Sequence, residues 1–305
     1  MPHEIETLGK GAIPDSPDTR DFKATEVFGV PSPVDWNNPV TWPEPANHNQ
    51  NGSSSCVAQG WSYYHWQIDF DHSEFCRRDI YSWIYYPGGG AQIRDGGLRI
   101  LKYGQETQEM SPDPNPETEV AMRNQTGFDP NKEQIHREKD SWIVPNDIDS
   151  VAAYIRDYKG VVGGVVGSNP GWQDLVNPRP PASGETTWGH CLYFFGYHMH
   201  NGLKCVIAKS SWGTAGGTTV HHIKENYFAS GNTFNPWTLI PKGPETMKLV
   251  DDGGTVYLVG DLGKIGFADP AALAKFTAIE STIETGSTGN IPQKGIFESG
   301  FTLHN

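Results

Sequence analysis

The chain has 305 residues, with 23 lysines and arginines against 36 aspartates and glutamates, so its net charge is −13. This negative charge argues against nucleic acid or an anionic membrane surface as partner, and no apolar run reaches the roughly 18 residues of a membrane span. Four cysteines are too few for a disulfide scaffold.

The first half of the chain favours helices. Proline and aspartate punctuate residues 1–48 and predict extended and turn segments. Apolar residues then recur at spacings of 4, 3 and 4, which predicts an amphipathic helix that begins at Cys56; they are Val57, Trp61, Tyr64 and Ile68. A second helix is predicted over residues 98–103, closed by Gly104 at its C-terminal cap.

The second half favours strands after one more helix. Residues 105–140 are polar and proline-containing and are predicted to form a long surface excursion. Asn146 is the predicted N-cap of a third helix, which buries Ile148, Val151, Ala152 and Ile155. Apolar β-type runs follow, at residues 161–166, 191–197, 203–209 and 218–223. Helices first and strands later predict an α+β protein.

A further change of texture comes near residue 247. Residues 255–259 are predicted to form a strand, a glycine-containing turn follows, and Asp269-Pro270 opens a short predicted helix over residues 271–276. The sequence therefore predicts a small β–β–α appendage at the end of the chain.

The segment Gln50 to Cys56 carries the strongest chemical signal. It places a thiol at the predicted N-terminus of a helix, after the small residues Gly52, Ser53, Ser54 and Ser55. The partial positive charge and free N–H groups of a helix N-terminus favour a thiolate. Gln50 could point its side-chain amide at the same place, so that its N–H and the Cys56 backbone N–H would stabilise an oxyanion.

A base for this nucleophile is offered by His190, which begins an apolar strand. A histidine at the mouth of a buried strand is held rigidly, as a general base requires. Past the next strand, Ser210 could orient the imidazole and Trp212 could shield it.

Taken in order, these motifs resemble the papain-like cysteine peptidases. Val34-Asp35-Trp36, Asn49-Gln50 and Cys56 resemble the start of the mature enzymes, Gly189-His190 resembles the catalytic histidine segment, and residues 209–214 resemble the Lys-Asn-Ser-Trp-Gly-Thr block. The separation 190 − 56 = 134 fits the family interval. The opening at residues 13–21 is more similar to bacterial members, and a place among bacterial or phage members is expected.

The resemblance implies a papain-like two-lobed α+β fold, with a helical left lobe and an antiparallel, barrel-like right lobe. It implies an endopeptidase that needs no cofactor and acts on a peptide or protein substrate through Cys56, His190, Gln50 and Ser210. Gly96 and Gly97, with Trp212, would then border the substrate cleft. The expected organisation is an N-terminal extension over residues 1–29, the peptidase domain over residues 30–245, and an appendage over residues 246–305 that binds assembly partners.

Some residues depart from the family pattern. Ser210 stands where the family has the asparagine that orients the histidine, Val57 replaces an aromatic residue, and Ser53 replaces a cysteine that forms a disulfide in many members. Only about 29 residues precede the mature-like start, too few for the family's usual inhibitory propeptide. If the enzyme is held inactive before use, another device does so.

Other readings stay open. Cys56 could be a buried structural thiol, and Gly96-Gly97 a tight turn before a helix. The chain could also be a catalytically weakened or inactive papain-fold component of a larger assembly, such as an adhesion protein of a phage virion. The N-terminal sequence lacks the basic-then-apolar pattern of a signal peptide, so an extracellular or virion location would be reached by another route.

The remaining histidines do not form a recognisable metal motif in the sequence. His198 and His200 alternate on a predicted strand, and His221-His222 follow nearby, but neither a cysteine nor a carboxylate stands at ligand spacing. No metal site is therefore predicted.

Overall fold

The computed structural model describes residues 8–19, 21, 23–28, 30–69, 72–125, 127–129, 136–214 and 220–240, and strands in the last part of the chain. The chain divides into two compact units, Met1–Pro241 and Lys242–Asn305. The predicted helix at residues 271–276 lies outside the described residues.

Helices are concentrated in the first half of the first unit. The described helices of the whole unit are α1 (Ala24–Phe28), α2 (Cys56–Ile68), α3 (Arg77–Ile84), α4 (Ile93–Tyr103), α5 (Glu119–Met122), α6 (Ile148–Tyr158) and α7 (Glu225–Ala229). No helix within the described ranges combines the length and the apolar character that crossing a bilayer requires.

The strands of the first unit are β1 (Ala12–Ile13), β2 (Val40–Thr41), β3 (Ala91–Gln92), β4 (Asp140–Ile143), β5 (Val161–Ser168), β6 (Thr187–His200), β7 (Leu203–Lys209), β8 (Val220–Lys224) and β9 (Thr233–Ile240). A seven-stranded antiparallel sheet has the order β4-β9-β5-β6-β7-β8, with β2 on β6. β1 pairs in parallel with β3.

The second unit is described through its backbone strands. They are β10 (Met247–Asp252), β11 (Thr255–Gly260), β12 (Gly263–Phe267), β13 (Thr288–Ile291) and β14 (Thr302–Leu303). These strands form one antiparallel sheet in the order β13-β10-β11-β12-β14. The predicted strand at residues 255–259 is confirmed as β11.

The large sheet is covered by helices on both faces. Successive residues of a strand point to opposite faces, and along β6 Leu192 belongs to one core with Trp142 and α6, whereas Tyr193 belongs to a second core with α2. The apolar side of α2 thus packs on one face of the central strands, and the apolar side of α6 packs on the other. Because both faces are buried, the sequences of these strands are nearly continuous apolar runs.

Most local predictions hold, and the differences have physical causes. The helix that begins at Cys56 is confirmed, and the helix predicted over residues 98–103 extends back to Ile93. Asn146 is not the cap of α6. Asp147 has this role and accepts a hydrogen bond from the Ser150 N–H at 2.8 Å, while the Asn146 side chain donates to the Thr233 carbonyl at 2.7 Å.

The polarity of residues 105–140 predicted a long surface excursion, but the structure differs from this prediction. The described part contains α5 and the start of β4, and several of its polar residues are buried, namely Gln105, Glu106, Glu117, His136 and Glu138. These groups have buried polar partners: Gln105, for example, donates to the Ser62 hydroxyl at 2.7 Å and the Cys76 carbonyl at 2.9 Å. Hydrogen bonding of this kind is what allows polar side chains to be buried.

Candidate active site

Cys56 is the first residue of α2 and is fully buried. The loop before it turns tightly, and its hydroxyls are paired internally, since Ser53 Oγ lies 2.8 Å from Ser55 Oγ and donates to the Gln50 carbonyl at 2.8 Å. The predicted position of the thiol at a helix N-terminus is therefore present in the structure, and the helix end directs its backbone N–H groups toward this loop.

Gln50 is buried beside the same loop. Its side-chain amide donates to the Ser53 carbonyl at 2.6 Å and accepts a hydrogen bond from the Ser211 hydroxyl, while its backbone N–H donates to the Ser211 carbonyl at 2.9 Å. The contacts with Ser211 connect the loop before α2 to the segment after β7. Gln50 is thus hydrogen-bonded both to the loop before α2 and to the segment after β7.

His190 lies on β6, opposite Val165 of β5, and is fully buried. Its imidazole stacks on the Trp212 indole, with ring centroids 4.2 Å apart and an interplanar angle of 23°. Trp212 in turn meets Trp172 edge-on at 5.4 Å. The aromatic cover that the sequence predicts for His190 is present, and stacking fixes the plane of its ring.

Ser210 does not hydrogen-bond to His190. Neither imidazole nitrogen of His190, nor the Ser210 hydroxyl, has a hydrogen-bond partner among the described residues. A serine side chain is one bond shorter than the asparagine side chain that the family pattern predicts at this position, so Ser210 reaches less far from the backbone. The same observation shows that Cys56 Sγ and His190 are not hydrogen-bonded here, and the orienting role of Ser210 stays a prediction.

Gly96 and Gly97 lie inside α4, where they face the Trp61 indole of α2. A Cβ at Gly96 would lie 2.2 Å from Trp61 Cδ1, and one at Gly97 would lie 2.9 Å from Trp61 Cζ2. Glycine at these positions lets the two helices approach closely. Their predicted contact with substrate stays a prediction, whereas their packing role is visible in the structure.

An extended N-terminal segment, residues 9–13, crosses the candidate site. Its backbone is hydrogen-bonded on both sides: Gly9 N–H donates to the Asn51 carbonyl at 3.0 Å, and Gly11 N–H donates to the Gly189 carbonyl at 3.1 Å. Trp212 Nε1 donates to the Gly9 carbonyl at 2.6 Å, and Ala91 N–H donates to the Gly11 carbonyl at 2.9 Å. We call residues 9–13 the strap.

The strap fits because it has glycine at its closest approaches. A Cβ at Gly9 would lie 2.4 Å from the Ser53 carbonyl oxygen and 2.5 Å from Gln50 Nε2, and one at Gly11 would lie 2.4 Å from the Ser54 carbonyl oxygen. The strap is anchored beyond its end by Asp15, which accepts hydrogen bonds from Trp237 Nε1 at 2.8 Å and the Arg94 N–H at 3.1 Å.

Burial beneath the strap keeps the candidate pair uncharged. Burial raises the pKa of Cys56 to about 12, although backbone N–H groups, including that of Ala12 in the strap, favour the thiolate. Burial, with smaller contributions from the neighbouring His221 and Lys10, holds the pKa of His190 well below its usual value. At neutral pH the pair is therefore a thiol and a neutral imidazole.

The strap was not predicted from the sequence. The available signal was the alternation Gly9-Lys10-Gly11, since two glycines around one long side chain suit a backbone that lies tightly against another surface. Lys10 fits this description, because its ammonium lies over the Trp188 ring, 5.1 Å from the centroid.

Two groups of potential metal ligands occur in the described ranges, and neither includes Cys56 or His190. One is His198, Cys205 and His222, and the other is His65, Asp69 and Glu138. Within each group, one ligand atom per residue lies within 4.8 Å of the others.

The similarity of this chain to known proteins lies in its structure. No protein-family model matches the chain, and no curated protein sequence matches it. Xylellain, a cysteine protease from Xylella fastidiosa, matches with a TM-score of 0.63 and 22% identity over 77% of this chain and 97% of its own.

Two further solved structures show the same likeness. Digestive procathepsin L 3 of Tenebrio molitor larval midgut matches with a TM-score of 0.58 and 16% identity over 76% of each chain. The bromelain protease from Ananas comosus, in complex with the E64 inhibitor, matches with a TM-score of 0.54 and 15% identity over 68% of this chain and all of its own. The predicted α+β, papain-like two-lobed fold is thereby confirmed.

Proposed function

We propose that this chain is a papain-like cysteine endopeptidase that hydrolyses peptide bonds through Cys56. The observation that carries the proposal is the strap, because it is an extended peptide held across Cys56 by backbone hydrogen bonds to residues on both sides. Backbone hydrogen bonds of this kind recognise an extended peptide whatever its side chains. A cleft that binds one extended peptide above a buried thiol is suited to present another to it.

The proposed reaction is acyl transfer in two steps. His190 takes the Cys56 proton as sulfur attacks the peptide carbonyl carbon, and the oxyanion receives hydrogen bonds from the Gln50 amide and the Cys56 backbone N–H. His190 then gives its proton to the leaving amine, and a thioester remains. Water, deprotonated by His190, attacks the thioester, releases the acid and restores the thiol.

The papain-like fold of the solved cysteine proteases supports this proposal at the level of the family. The arrangement of Gln50 beside the loop before α2, and of His190 against Trp212, supports the individual roles. Ser210 would orient His190 once the site opens, since both groups lack another hydrogen-bond partner among the described residues.

Catalysis requires the strap to leave. The strap occupies the space above Cys56, and its burial of the thiol opposes thiolate formation. The strap therefore supplies the restraint on activity that a conventional propeptide would supply, from within the first residues of the chain.

We test the proposal with the E64 inhibitor, which is bound in the bromelain structure. The full chain and a Gly9→Val variant, in which the strap is loosened, are treated with E64, and the labelled peptide is identified by mass spectrometry. We expect a label on Cys56 that Cys56→Ala abolishes and that Cys76→Ala leaves in place, with cleavage of a peptide library in parallel. If neither protein is labelled at Cys56 or cleaves any peptide, the enzyme proposal is wrong.

That negative outcome would favour the alternative, a catalytically inactive papain-fold component of a larger assembly such as a phage virion. The comparisons do not favour this alternative over a protease. Residues 246–305 are the segment we propose for assembly contacts, and the support is that strands β10–β14 form a sheet of their own.

A further inference from the structure

Two histidines and one cysteine lie together on one face of the seven-stranded sheet. The side chains of His221 and Val206 lie on the opposite face. His198 of β6 is paired directly with Cys205 of β7, and His222 lies on β8, diagonally across from Cys205. Directly paired residues, and diagonal neighbours two positions away, present their side chains on the same face. Register between three strands therefore assembles a group whose successive members are 7 and 17 residues apart in the sequence.

The donor atoms of this group lie close together. One ligand atom from each of His198, Cys205 and His222 lies within 4.8 Å of the other two, and His198 Nε2 is 2.9 Å from His222 Nδ1. Ligands held about 2.0–2.3 Å from a tetrahedral zinc ion are separated from one another by about 3.3–3.8 Å. The His198–His222 distance of 2.9 Å is a little shorter than this range, and all three donors lie within 4.8 Å of one another, so modest rotations of the imidazoles would bring the donors to a common centre.

The group is also accessible from one side. Cys205 is fully buried, whereas His198 and His222 are partly exposed. An ion can therefore enter from solvent between the imidazoles and reach the sulfur beneath them. Bound zinc often has three protein ligands with water in the fourth position, and the exposed side of this group leaves room for that water.

The protonation states fit a metal site. Burial and the neighbouring histidines lower the pKa of His222 to about 4, and the same two effects lower the pKa of His198. A metal binds the neutral form of each imidazole, which offers it a lone pair. Burial raises the pKa of Cys205 to about 12, against the opposing charge of Lys224, so an ion must displace the thiol proton.

We propose that His198, Cys205 and His222 form a zinc site. Zinc binds the two imidazole nitrogens and the Cys205 sulfur, and the thiol proton is released to solvent as the metal–sulfur bond forms. Mixed nitrogen and thiolate donors are the set that zinc favours over magnesium or calcium. The ion joins β6, β7 and β8 where β6 and β7 meet at the Asn201-Gly202 turn.

The site is separate from the candidate active site, and the proposal does not depend on the proposed function. His198 is eight residues beyond His190 on β6, which corresponds to about 26 Å along a strand. The sequence analysis predicted no metal site because Cys205 stands at no ligand spacing from the histidines. The pairing of β6 with β7 supplies the missing thiol.

The test is a titration of the full chain with Co²⁺, which replaces zinc and absorbs in the near ultraviolet when a thiolate binds it. We expect one equivalent of Co²⁺ to produce this thiolate band with release of one proton, and one equivalent of Zn²⁺ then to remove the band without further proton release. Cys205→Ser should abolish the band, and His198→Ala and His222→Ala should each weaken binding by more than the roughly 10- to 100-fold that loss of a residue hydrogen-bonded to a ligand typically costs.

Two controls locate the ion. His72→Ala removes an exposed histidine outside the group and should leave binding unchanged. Cys56→Ala should also leave the band unchanged, which separates this site from the candidate nucleophile. The proposal is overturned if the unaltered chain gives no thiolate band, if Cys205→Ser retains it, or if Cys56→Ala removes it. The first and third of these outcomes do not depend on whether the Cys205 variant folds.

Discussion

At the scale of single residues, Cys56 and His190 show how environment sets chemical state. Each has the local position that its proposed role requires, a helix N-terminus for the thiol and a strand with an indole cover for the imidazole. Burial under the strap nonetheless raises the pKa of Cys56 and lowers that of His190. Both groups therefore stay uncharged at neutral pH while the strap covers them.

A larger side chain at Gly9 should open the site. The Cβ would collide with the Ser53 carbonyl and with Gln50 Nε2, and overpacking of this kind costs about 1–3 kcal/mol. Gly9→Val should therefore raise the open population about 5- to 150-fold. The measurement is the rate at which iodoacetamide modifies Cys56, and Thr19→Ala, at an exposed position beyond the strap, is the control.

The pH dependence of this modification has a definite sign. Only the thiolate reacts, and a thiol with a pKa of about 12 is still mostly protonated at pH 10, so the rate in the closed chain should keep rising above that pH. In Gly9→Val the thiol is solvated and the rate should level off at lower pH. Identical pH profiles for the two proteins would show that the strap does not control the thiol.

At the scale of elements, α4 shows how packing reverses an expected propensity. Glycine weakens the interior of a helix by about 1 kcal/mol relative to alanine, yet α4 contains Gly96 and Gly97 side by side. Both face Trp61, whose Nε1 donates to the Ile93 carbonyl at the start of α4 at 2.7 Å. The close contact between α2 and α4 compensates for the lower helix propensity.

Gly96→Ala should accordingly destabilise the protein despite its better helix propensity. The new Cβ would overlap the buried Trp61 ring, and we expect the free energy of unfolding to fall by about 1–3 kcal/mol. Leu98→Ala, on the same helix at a position that is 47% exposed, should change it by less than about 0.5 kcal/mol. Urea unfolding of both variants measures the difference, and a more stable Gly96→Ala would show that α2 and α4 can separate freely.

At the scale of the whole molecule, the chain is built as two separately hydrogen-bonded units. The seven-stranded sheet, its two cores and the candidate site all belong to Met1–Pro241. Strands β10–β14 form a sheet of their own in Lys242–Asn305. The strand pairing that the structure describes therefore runs within each unit.

A chain that ends at residue 241 should keep the fold and the candidate site. We expect its free energy of unfolding, followed by tryptophan fluorescence in urea, to agree with that of the full chain within about 0.5 kcal/mol. The rate of Cys56 labelling should be unchanged as well. Light scattering of both proteins tests the proposed assembly role, since association should disappear when residues 242–305 are removed. A lower free energy of unfolding in the shorter chain would contradict the prediction of stability and show that the units depend on each other.

The local features of this protein could be predicted from its sequence. The helix that begins at Cys56 and the strands that contain His190 and Cys205 follow from apolar periodicity, which depends only on near neighbours in the chain. The order of the motifs around Gln50, Cys56, His190 and Trp212 likewise predicted the papain-like fold that the solved structures confirm.

Only the tertiary structure decided which distant residues meet. The strap over Cys56, the packing of Gly96 on Trp61 and the pairing of His198 with Cys205 join segments between roughly 7 and 45 residues apart. The strap and the contact between α2 and α4 depend on how separate elements pack, which no local pattern encodes; the register that pairs His198 with Cys205 is set by the two-residue Asn201-Gly202 turn, but the placement of His222 beside them is not. The sequence thus determined the chemical groups and their local supports, whereas the fold determined that the thiol is covered and that a cysteine joins the histidines.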